Sequence, residues 1–459
     1  MNRTIVVLSA GKGTRMKSPR AKVLHPIMGR PMLAHLFDSL GALGASKVFA
    51  VVGHQKEKVA DIAEGCGAEC VVQEPQLGTG HALMCCREAL QALGETEVLL
   101  VSGDVPLLPV DEVESFWKRF HKGGAAMGMV TVELESPAGY GRIIRDGEGR
   151  LARVVEEKDA GPEQKRIREV NSGIYFFRPA AVLPLLDSLG TDNAQGEYYL
   201  PDLFAALYDQ GAPAATFPAS DPGKWLGINT QADLASANET LRAEIVSRLM
   251  AGGVTILGPG TVWVEPTVSI DPGCVLHPFT RICGETRLGA GTEIRSFSTL
   301  RDSVVGPGTL IKENCVLEGT RTGASCIIGP FCHTREGTVL EERVHLGNFV
   351  ETKKARLGPG VKANHLTYLG DAEVGEGSNI GAGTITCNYD GVRKHPTVLG
   401  RNVFVGSDTQ FVAPVKVGDG AYIGAGTTVT KEVPPESLAI SRAPQKNLEG
   451  WAARKKRKK

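Results

Sequence analysis

A glycine-rich turn close to the N-terminus could hold phosphate groups. Residues 8–16 read LSAGKGTRM and overlap an apolar run at 5–8 that is typical of a buried strand. The two glycines would let backbone N–H groups approach phosphate oxygens closely, and Lys12 and Arg15 add positive charge. The pattern is neither a Walker loop nor GxGxxG, and a turn without any ligand fits two glycines equally well. The turn is therefore a candidate phosphate site that needs support from the rest of the chain.

An aspartate occupies a comparable place further along the chain. Residues 98–101 form a second apolar run, and Asp104 follows it closely. In a parallel sheet the loops collect at the carboxyl ends of the strands, where a carboxylate can hold Mg²⁺ against phosphates. An aspartate that only caps the next helix is the alternative interpretation. Asp104 is thus a candidate metal ligand.

The elements that would position these residues begin with an α/β region. From residue 1 to 228, strand-like runs at 5–8, 47–52, 98–101, 126–132 and 173–177 alternate with amphipathic segments such as 32–43 and 80–93. This alternation predicts a Rossmann-like α/β domain with a mostly parallel sheet covered by helices. Residues 229–252 predict a linker helix, with Thr230 as its N-cap and two glycines at its end.

From residue 253 to 459 the chain is a repeat. Aliphatic residues recur every six positions from Val264 to Leu300 and again from Leu399 to Val429, and the register slips near Val305. This period fits neither a helix nor an alternating strand. It predicts a left-handed parallel β-helix of hexapeptide repeats with its aliphatic side chains inside. Breaks near 332–342 and 388–396 predict loops that leave the coil, and loops on rigid scaffolds commonly carry function.

Composition and charge limit the classes of protein to consider. The 459 residues include 42% hydrophobic and 22% charged residues, and 51 Lys+Arg balance 51 Asp+Glu. Zero net charge argues against a dedicated nucleic-acid binder, and no apolar run approaches a membrane span. The basic residues 454–459 are interpreted as a solvated tail, with a nucleic-acid or membrane role as the alternative. Ten scattered cysteines without a CxxC pair indicate reduced thiols in a cytoplasmic protein.

Several segments in the first half resemble the sugar-phosphate nucleotidyltransferases. Residues 11–16 (GKGTRM) and 22–26 (KVLHP) are similar to the signature of that family, which implies that Lys22 contacts phosphates. The family usually has Pro before this lysine, where the chain has Ala21. Segments 73–82 and 102–106 resemble its uracil-recognition and metal-binding segments, and 139–143, 155–158 and 171–173 its sugar-binding segments. Residues 227–229 resemble the segment with the second metal ligand, here Asn229.

The resemblance implies a reaction that needs no protein nucleophile. The oxygen of a sugar 1-phosphate attacks the α-phosphorus of UTP and pyrophosphate leaves, so catalysis consists of positioning and charge neutralisation. Asp104 and Asn229 would hold Mg²⁺, although they lie over 120 positions apart, and the fold must bring them together. The implied nucleotide- and sugar-binding residues are Leu8, Ser9, Ala10, Gly11, Arg15, Lys22, Gln73, Gly78, Thr79, Ser102, Gly103, Asp104, Gly141, Glu156, Asn171 and Asn229.

The repeat region resembles the second half of a bifunctional family, the UDP-N-acetylglucosamine pyrophosphorylases/glucosamine-1-phosphate N-acetyltransferases. The similar segments are 347–354, 364–371, 379–384 and 387–391. By this resemblance His365 is the catalytic base, since an amine must lose a proton before it attacks a thioester. The implied ligands of the sugar phosphate are Arg335, Lys353, Tyr368, Asn379 and Asn388, and those of acetyl-CoA are Ala382, Tyr389, Ser407, Ala425 and Arg442.

The resemblance also implies an assembly and leaves two alternatives. Members of the family form homotrimers with active sites between neighbouring chains, and their substrates are UTP, N-acetylglucosamine 1-phosphate, glucosamine 1-phosphate and acetyl-CoA. One alternative is a nucleotidyltransferase of single activity whose β-helix is regulatory. Residues 365–368 and 388–391 argue against it, because a regulatory coil does not need them. The other alternative, a non-enzymatic assembly protein, conflicts with the intact Lys22, Asp104 and Asn229.

Overall fold

The computed structural model describes residues 2–456, and it divides into two compact units between Leu241 and Arg242. Helix Gln231–Ala251 contains this division, close to the expected linker helix. The domain boundaries at 228 and 252 stay predictions. The last three residues of the basic tail, 457–459, lie outside the described residues. No helix within residues 2–456 combines the length and the apolar character needed to cross a membrane.

The first unit is built on a mixed sheet whose central part is parallel. The strands are β1 Asn2–Leu8, β2 Pro26–Ile27, β3 Arg30–Pro31, β4 Lys47–Val52, β5 Glu69–Val72, β6 Thr96–Ser102, β7 Met127–Glu133, β8 Arg142–Arg145, β9 Leu151–Val155, β10 Glu169–Phe177 and β11 Ala214–Pro218. Their order in the sheet is β11-β7-β10-β6-β1-β4-β5, with β8 paired to β10 and β9. All five strands expected from the apolar runs are present, and β10 runs antiparallel between β6 and β7.

The order of the strands explains where a site can form. Strand β1 lies between β4 and β6 and is parallel to both, and the chain visits β4 and β5 on one side before it returns to β6 on the other. Such a reversal opens a crevice at the carboxyl ends of the strands. The loops after Leu8 and Ser102 both begin at this crevice.

Helices cover the sheet and bury its apolar side chains. Residues such as Val6, Val98 and Leu100 are fully buried in one core cluster with Leu83 and Phe204. The helices of the first unit are α1 Met32–Gly41, α2 Lys56–Gly65, α3 Thr79–Cys85, α4 Arg87–Gln91, α5 Val110–Gly123, α6 Pro179–Val182, α7 Leu203–Asp209 and α8 Pro222–Trp225. Helix α9 Gln231–Ala251 contains the division between the units, and α10 Trp451–Lys456 belongs to the second unit. Short 3₁₀ turns are Thr14–Met16, Lys22–Leu24, Gln164–Arg166, Leu183–Ser188, Leu200–Asp202 and Pro259–Thr261.

The second unit is the parallel coil that the six-residue period predicts. Aliphatic residues stack in register from one coil to the next, for example Leu276 on Ile294, Ile294 on Ile311 and Ile311 on Ile328. Each stacked residue is buried. Three short strands and three turns complete one coil, so that the apolar interior is shared between neighbouring coils.

The strands of the coil form three faces. The first face contains Thr255–Ile256, Val275–Leu276, Glu293–Ile294, Leu310–Ile311, Ile327–Ile328, Asn379–Ile380, Phe404–Val405, Tyr422–Ile423 and Leu438–Ala439. The second contains Trp263–Val264, Arg281–Cys283, Thr299–Arg301, Val316–Glu318, His333–Thr334, Ile385–Cys387, Gln410–Val412 and Thr428–Val429. The long strands His345–Lys353 and Lys362–Gly370 extend over both faces. The third contains Ser269–Ile270, Arg287–Leu288, Val304–Val305, Arg321–Thr322, Val339–Leu340, Arg356–Leu357, Ala372–Val374, Thr397–Leu399 and Val415–Val417.

One of the two expected loops leaves the coil and the other does not. Val374 pairs with Leu399, 25 positions later, and this long coil contains the loop at 388–396. At 332–342 the prediction was wrong, because Thr322 pairs with Leu340 in a coil of ordinary length. The aliphatic period is interrupted there because the buried Thr334 stands between Ile328 and Leu340, where the period would place an aliphatic residue. The hydroxyls of Thr320 and Thr334 are hydrogen-bonded at 2.7 Å, which satisfies both polar groups inside the coil.

Candidate functional site

A cavity of about 490 Å³ opens at the carboxyl ends of β1 and β6. It lies in the crevice that the strand order creates, and ten of the expected nucleotide-binding residues lie on its wall. The lining residues are Leu8, Ser9, Ala10, Gly11, Lys12, Gly13, Thr14, Lys22, Val23, Gln73, Gln76, Gly78, Thr79, Ala82, Ser102, Asp104 and Glu197. Gln76 and Glu197 were not among the expected site residues.

Four polar side chains from distant parts of the chain meet beside this cavity. The ammonium group of Lys22 forms an ion pair with Oδ2 of Asp104 and donates to Oδ1 of Asn229 at 3.1 Å. Arg15 donates to the same amide oxygen at 2.7 Å. The backbone holds the arrangement as well, because the N–H of Ile228 donates to the carbonyl of Asp104 at 2.9 Å. The structure therefore brings Asp104 and Asn229 within reach of one cation.

The oxygens around Asp104 fit a divalent cation. Oδ1 of Asp104 is buried and has no hydrogen-bond partner in the described residues, which is costly for a carboxylate unless a ligand completes the site. A Cβ atom on Gly227 would lie 2.8 Å from this oxygen, so glycine leaves the space open. One carboxylate and one amide oxygen are hard ligands of the kind that Mg²⁺ shares with phosphates and waters.

The glycine-rich turn packs directly against Lys22. Gly13 has a φ of +65°, and a Cβ there would lie 2.5 Å from Cβ of Lys22. Both the left-handed backbone and the close approach require glycine at this position. The turn thus lets the stem of the lysine pass beneath it towards Asp104.

Residues expected to recognise the base form a rigid group beside the turn. Gln73 is buried, and its Nε2 donates to the carbonyl of Gly78 at 2.9 Å and lies 3.2 Å from Nδ1 of His81. The hydroxyl of Thr79 accepts from the N–H of Leu200 at 3.1 Å. These contacts fix the loop before α3 at the cavity wall.

The expected sugar-binding residues also lie together. The N–H of Asn171 donates to the carbonyl of Gly141 at 2.9 Å, and Nδ2 of Asn171 donates to the hydroxyl of Tyr175 at 2.7 Å. The position of a Cβ on Gly141 would be 3.0 Å from Oε1 of Glu156. Burial raises the pKa of Glu156 above its usual range, and the charges of Asp202 and Asp159 raise it further.

The coil presents the expected base on its surface. His365 is exposed, lies on the strand Lys362–Gly370 and pairs in register with Asn348. The next residue, Leu366, has a φ of +43° and marks the corner between the first and second faces. The carbonyl of His365 accepts from the hydroxyl of Thr367 at 2.6 Å, which fixes its backbone while the imidazole stays accessible.

Basic side chains gather at the end of the second face that lies away from this corner. The charge of Arg335, followed by that of Lys394, lowers the pKa of Lys353. Three cations held close together suit a phosphate dianion. Lys394 is on the 388–396 loop and was not expected from the sequence, because no local pattern separates it from a solvated lysine. Arg335 also pairs with Glu351 at 3.0 Å.

The remaining sugar-phosphate candidates divide between two faces. Nδ2 of Asn388 donates to Oδ2 of Asp371 at 2.6 Å, and Tyr368 pairs in register with Glu351, so both lie on the side of the basic cluster. Asn379 pairs with Lys362 on the first face. The single chain therefore does not bring Asn379 into this group.

Most of the expected acetyl-CoA residues follow the edge of the coil beside His365, whereas Tyr389 lies on the 388–396 loop. The N–H of Asp408 donates to the carbonyl of Ala382 at 2.7 Å, and the N–H of Gly426 donates to that of Ser407 at 2.8 Å. Ala382, Ser407 and Ala425 therefore form a ladder of consecutive turns. Arg442 donates to the carbonyl of Ala425 at 3.1 Å, and Tyr389 is 60% exposed.

Comparisons with known proteins agree across both halves of the chain. A family described as "MobA-like NTP transferase domain" matches residues 5–171, and one described as "Bacterial transferase hexapeptide (six repeats)" matches residues 396–431. The chain is 47% identical to the "Bifunctional protein GlmU" of Pelobacter propionicus over 458 residues, which cover 100% of this chain and 99% of the relative. It is 49% identical to the protein of the same name from Syntrophotalea carbinolica, with 98% and 96% covered, and 45% identical to that of Koribacter versatilis, with 98% and 97% covered.

Proposed function

The chain belongs to the family of bifunctional GlmU proteins, and we propose that the two groups of residues described above are its two active sites. It is an enzyme that transfers acetyl from acetyl-CoA to glucosamine 1-phosphate. It then transfers uridylyl from UTP to N-acetylglucosamine 1-phosphate and releases pyrophosphate. The alternative of a single activity with a regulatory coil does not agree with relatives that match the whole chain under a bifunctional name.

We assign the uridylyl transfer to the cavity at β1 and β6. Lys22 and Arg15 neutralise phosphate charge, the loop at Gln73 and Gly78 binds the uracil, and Glu156 and Asn171 bind the amino sugar. The observation that carries the assignment is the convergence of Lys22, Asp104 and Asn229. Because the sugar phosphate itself supplies the attacking oxygen, these residues act by positioning and by electrostatic stabilisation.

We propose Mg²⁺ as the metal, with Asp104 and Asn229 as the residues that hold it. The family implies a divalent metal, and the unpartnered oxygen of Asp104 supports its place. When bound, Mg²⁺ would neutralise charge on the phosphates of UTP. Lys22, whose ammonium group contacts Oδ2 of Asp104 and Oδ1 of Asn229 in this structure, would add its positive charge beside the phosphates.

We assign the acetyl transfer to the edge of the coil that carries His365. The imidazole accepts a proton from the amine of glucosamine 1-phosphate, whose nitrogen then attacks the thioester carbon and releases coenzyme A. Arg335, Lys353 and Lys394 bind the phosphate, with Tyr368 and Asn388 beside them. Ala382, Ser407, Ala425 and Arg442 bind acetyl-CoA along the ladder of turns, and Tyr389 contributes from the 388–396 loop.

We propose that the enzyme is a homotrimer. His365 and Tyr389 are exposed in the single chain, and Asn379 lies on a different face from Arg335. A second copy whose first face meets this second face would enclose the histidine and add the missing asparagine. Sedimentation equilibrium measures the mass of the assembly directly.

We also place the enzyme in the cytoplasm, because its ten cysteines are free thiols, four of which lie outside the buried core.

Two substitutions test this division of labour. With glucosamine 1-phosphate and acetyl-CoA supplied for one half-reaction, and N-acetylglucosamine 1-phosphate, UTP and Mg²⁺ supplied separately for the other, we expect His365→Ala to abolish acetylation and to spare uridylylation. Asp104→Ala should do the reverse. A variant that remains folded and loses both activities would contradict the assignment. The same assay with other nucleoside triphosphates tests the preference for UTP.

A further inference from the structure

One glutamine side chain fastens the segment that leads into Lys22. Nε2 of Gln55 donates to the carbonyl oxygen of Pro19 at 2.7 Å, and Oε1 of Gln55 accepts from the backbone N–H of Ala21 at 3.2 Å. A single planar amide therefore holds the chain on both sides of Arg20. Hydrogen bonds on both ends of an amide fix its orientation as well as its distance.

The backbone of Gln55 supports this contact. Gln55 has a φ of +52° and directly precedes helix α2, and its carbonyl accepts from the N–H of Val59 at 3.2 Å. Left-handed backbone is uncommon for residues other than glycine and persists where the surroundings determine it. The conformation aims the side chain back at the 19–21 segment while the main chain begins the helix.

The segment leaves Lys22 little freedom once Ala21 is fixed. Ala21 is fully buried with a φ of −54°. The next residues form the 3₁₀ turn Lys22–Leu24, in which the N–H of Leu24 donates to the carbonyl of Ala21 at 3.0 Å. The orientation of Ala21 therefore sets the direction in which the Lys22 side chain leaves the backbone, towards Asp104 and Asn229.

We propose that Gln55 is a positioning residue for uridylyl transfer, which holds the segment before Lys22 in the orientation that a proline at position 21 would impose. A proline fixes φ near −65°, close to the value found here, but has no N–H. Alanine leaves φ free and supplies the N–H that Gln55 binds. The inference rests on the proposed role of Lys22 and adds to it a restraint supplied by another element.

The matched variant is Gln55→Asn, because asparagine keeps the amide and tolerates the left-handed backbone but is one methylene too short to reach both partners. We expect kcat for uridylyl transfer to fall about tenfold, since a displaced charge loses much of its effect on the transition state. KM for N-acetylglucosamine 1-phosphate should stay unchanged. Gln210→Asn, at an exposed glutamine of the same unit, is the control, and the acetylation rate of each variant reports the second unit.

Restoring the restraint by another route completes the test. In Gln55→Asn, the second substitution Ala21→Pro should return kcat to within about threefold of the original enzyme, because the ring replaces the lost hydrogen bonds. The proposal is overturned if Gln55→Asn behaves like Gln210→Asn, or if the folded double variant shows no recovery. If the double variant does not fold, the comparison of Gln55→Asn with Gln210→Asn decides. Lys22→Ala tests the proposed function separately from the inference about Gln55. If uridylylation survives in this variant, Lys22 does not have the role proposed for it.

Discussion

Glu156 combines a substrate contact with an unfavourable environment for charge. Its carboxyl group lies against Gly141 in a buried place, and burial together with Asp202 and Asp159 raises its pKa. Only the ionised form accepts hydrogen bonds through both oxygens. Acidification should therefore weaken sugar binding at a higher pH than an ordinary glutamate would require.

We predict that KM for N-acetylglucosamine 1-phosphate rises as the pH falls from neutral towards this raised pKa. Glu156→Gln should raise KM about tenfold at neutral pH, the cost of one hydrogen bond to a charged group, and should remove the rise. The contribution of Glu156 to the free energy of unfolding should respond to pH in the opposite direction from its contribution to sugar binding. A raised pKa in the folded state stabilises folding only while the group is protonated, and this contribution is lost as the pH rises through it. The glutamine variant should therefore not be less stable at neutral pH, and a KM that still rises in acid would contradict the role of Glu156.

The basic cluster on the coil should act mainly through charge. Lys394→Ala removes one of three cations from the phosphate site and should raise KM for glucosamine 1-phosphate about tenfold, with uridylylation unchanged. Added salt should reduce the difference between the variant and the original enzyme, because screening weakens exposed charges. Lys416→Ala, at an exposed lysine elsewhere on the coil, is the control. An equal loss in both variants would show that the cluster has no special role.

At the scale of elements, the start of helix α9 fixes Asn229. Oδ2 of Asp233 accepts from the N–H groups of Asn229 and Thr230 at 2.9 and 2.8 Å, and the hydroxyl of Thr230 accepts from the N–H of Asp233 at 3.2 Å. This reciprocal capping box satisfies N–H groups that a helix start leaves open. It also determines where the amide oxygen of Asn229 lies.

Asp233→Ala should therefore affect both stability and activity. We expect the first unit to lose about 1 kcal/mol of unfolding free energy, the usual effect of a lost cap. We also expect a roughly fivefold lower rate of uridylylation that more Mg²⁺ partly restores, because a loosened ligand weakens the metal site. Asp233→Asn keeps an acceptor oxygen and should retain most of the activity. A stability loss without any change in Mg²⁺ dependence would limit Asp233 to capping.

The strands and loops also show which features of the fold and of the site can be predicted from the sequence and which cannot. The strands of the sheet and the register of Leu276 on Ile294 follow from apolar periodicity, because burial imposes the period. The expected loop at 332–342 was wrong, since Thr320 and Thr334 satisfy each other inside the coil and a sequence does not show which hydroxyls will pair. Lys394 was missed for a related reason. Its partners, Arg335 and Lys353, lie on neighbouring coils, and only the fold brings them together.

At the scale of the whole molecule, the residues proposed for each activity come from one unit of the fold. Every residue proposed for uridylyl transfer lies at or before Asn229, and the sheet has its own buried core. Every residue proposed for acetyl transfer lies at or after Arg335. This separation supports the predicted boundaries and suggests that the first unit can work without the coil.

We predict that a fragment of residues 1–252 folds and uridylylates N-acetylglucosamine 1-phosphate at a rate within about threefold of the full chain, without any acetylation. We allow for a threefold loss because helix α9 loses contacts in the fragment. The buried Arg242 of this helix donates to the carbonyls of Pro259 and Val262, and the fragment lacks both residues. The second half of the helix should fray, since helical stability depends on tertiary packing. Circular dichroism measures the helix, and sedimentation should find a monomer, because the proposed trimer contacts belong to the coil. A fragment that folds but does not bind UTP would mean that the coil contributes to the nucleotide site.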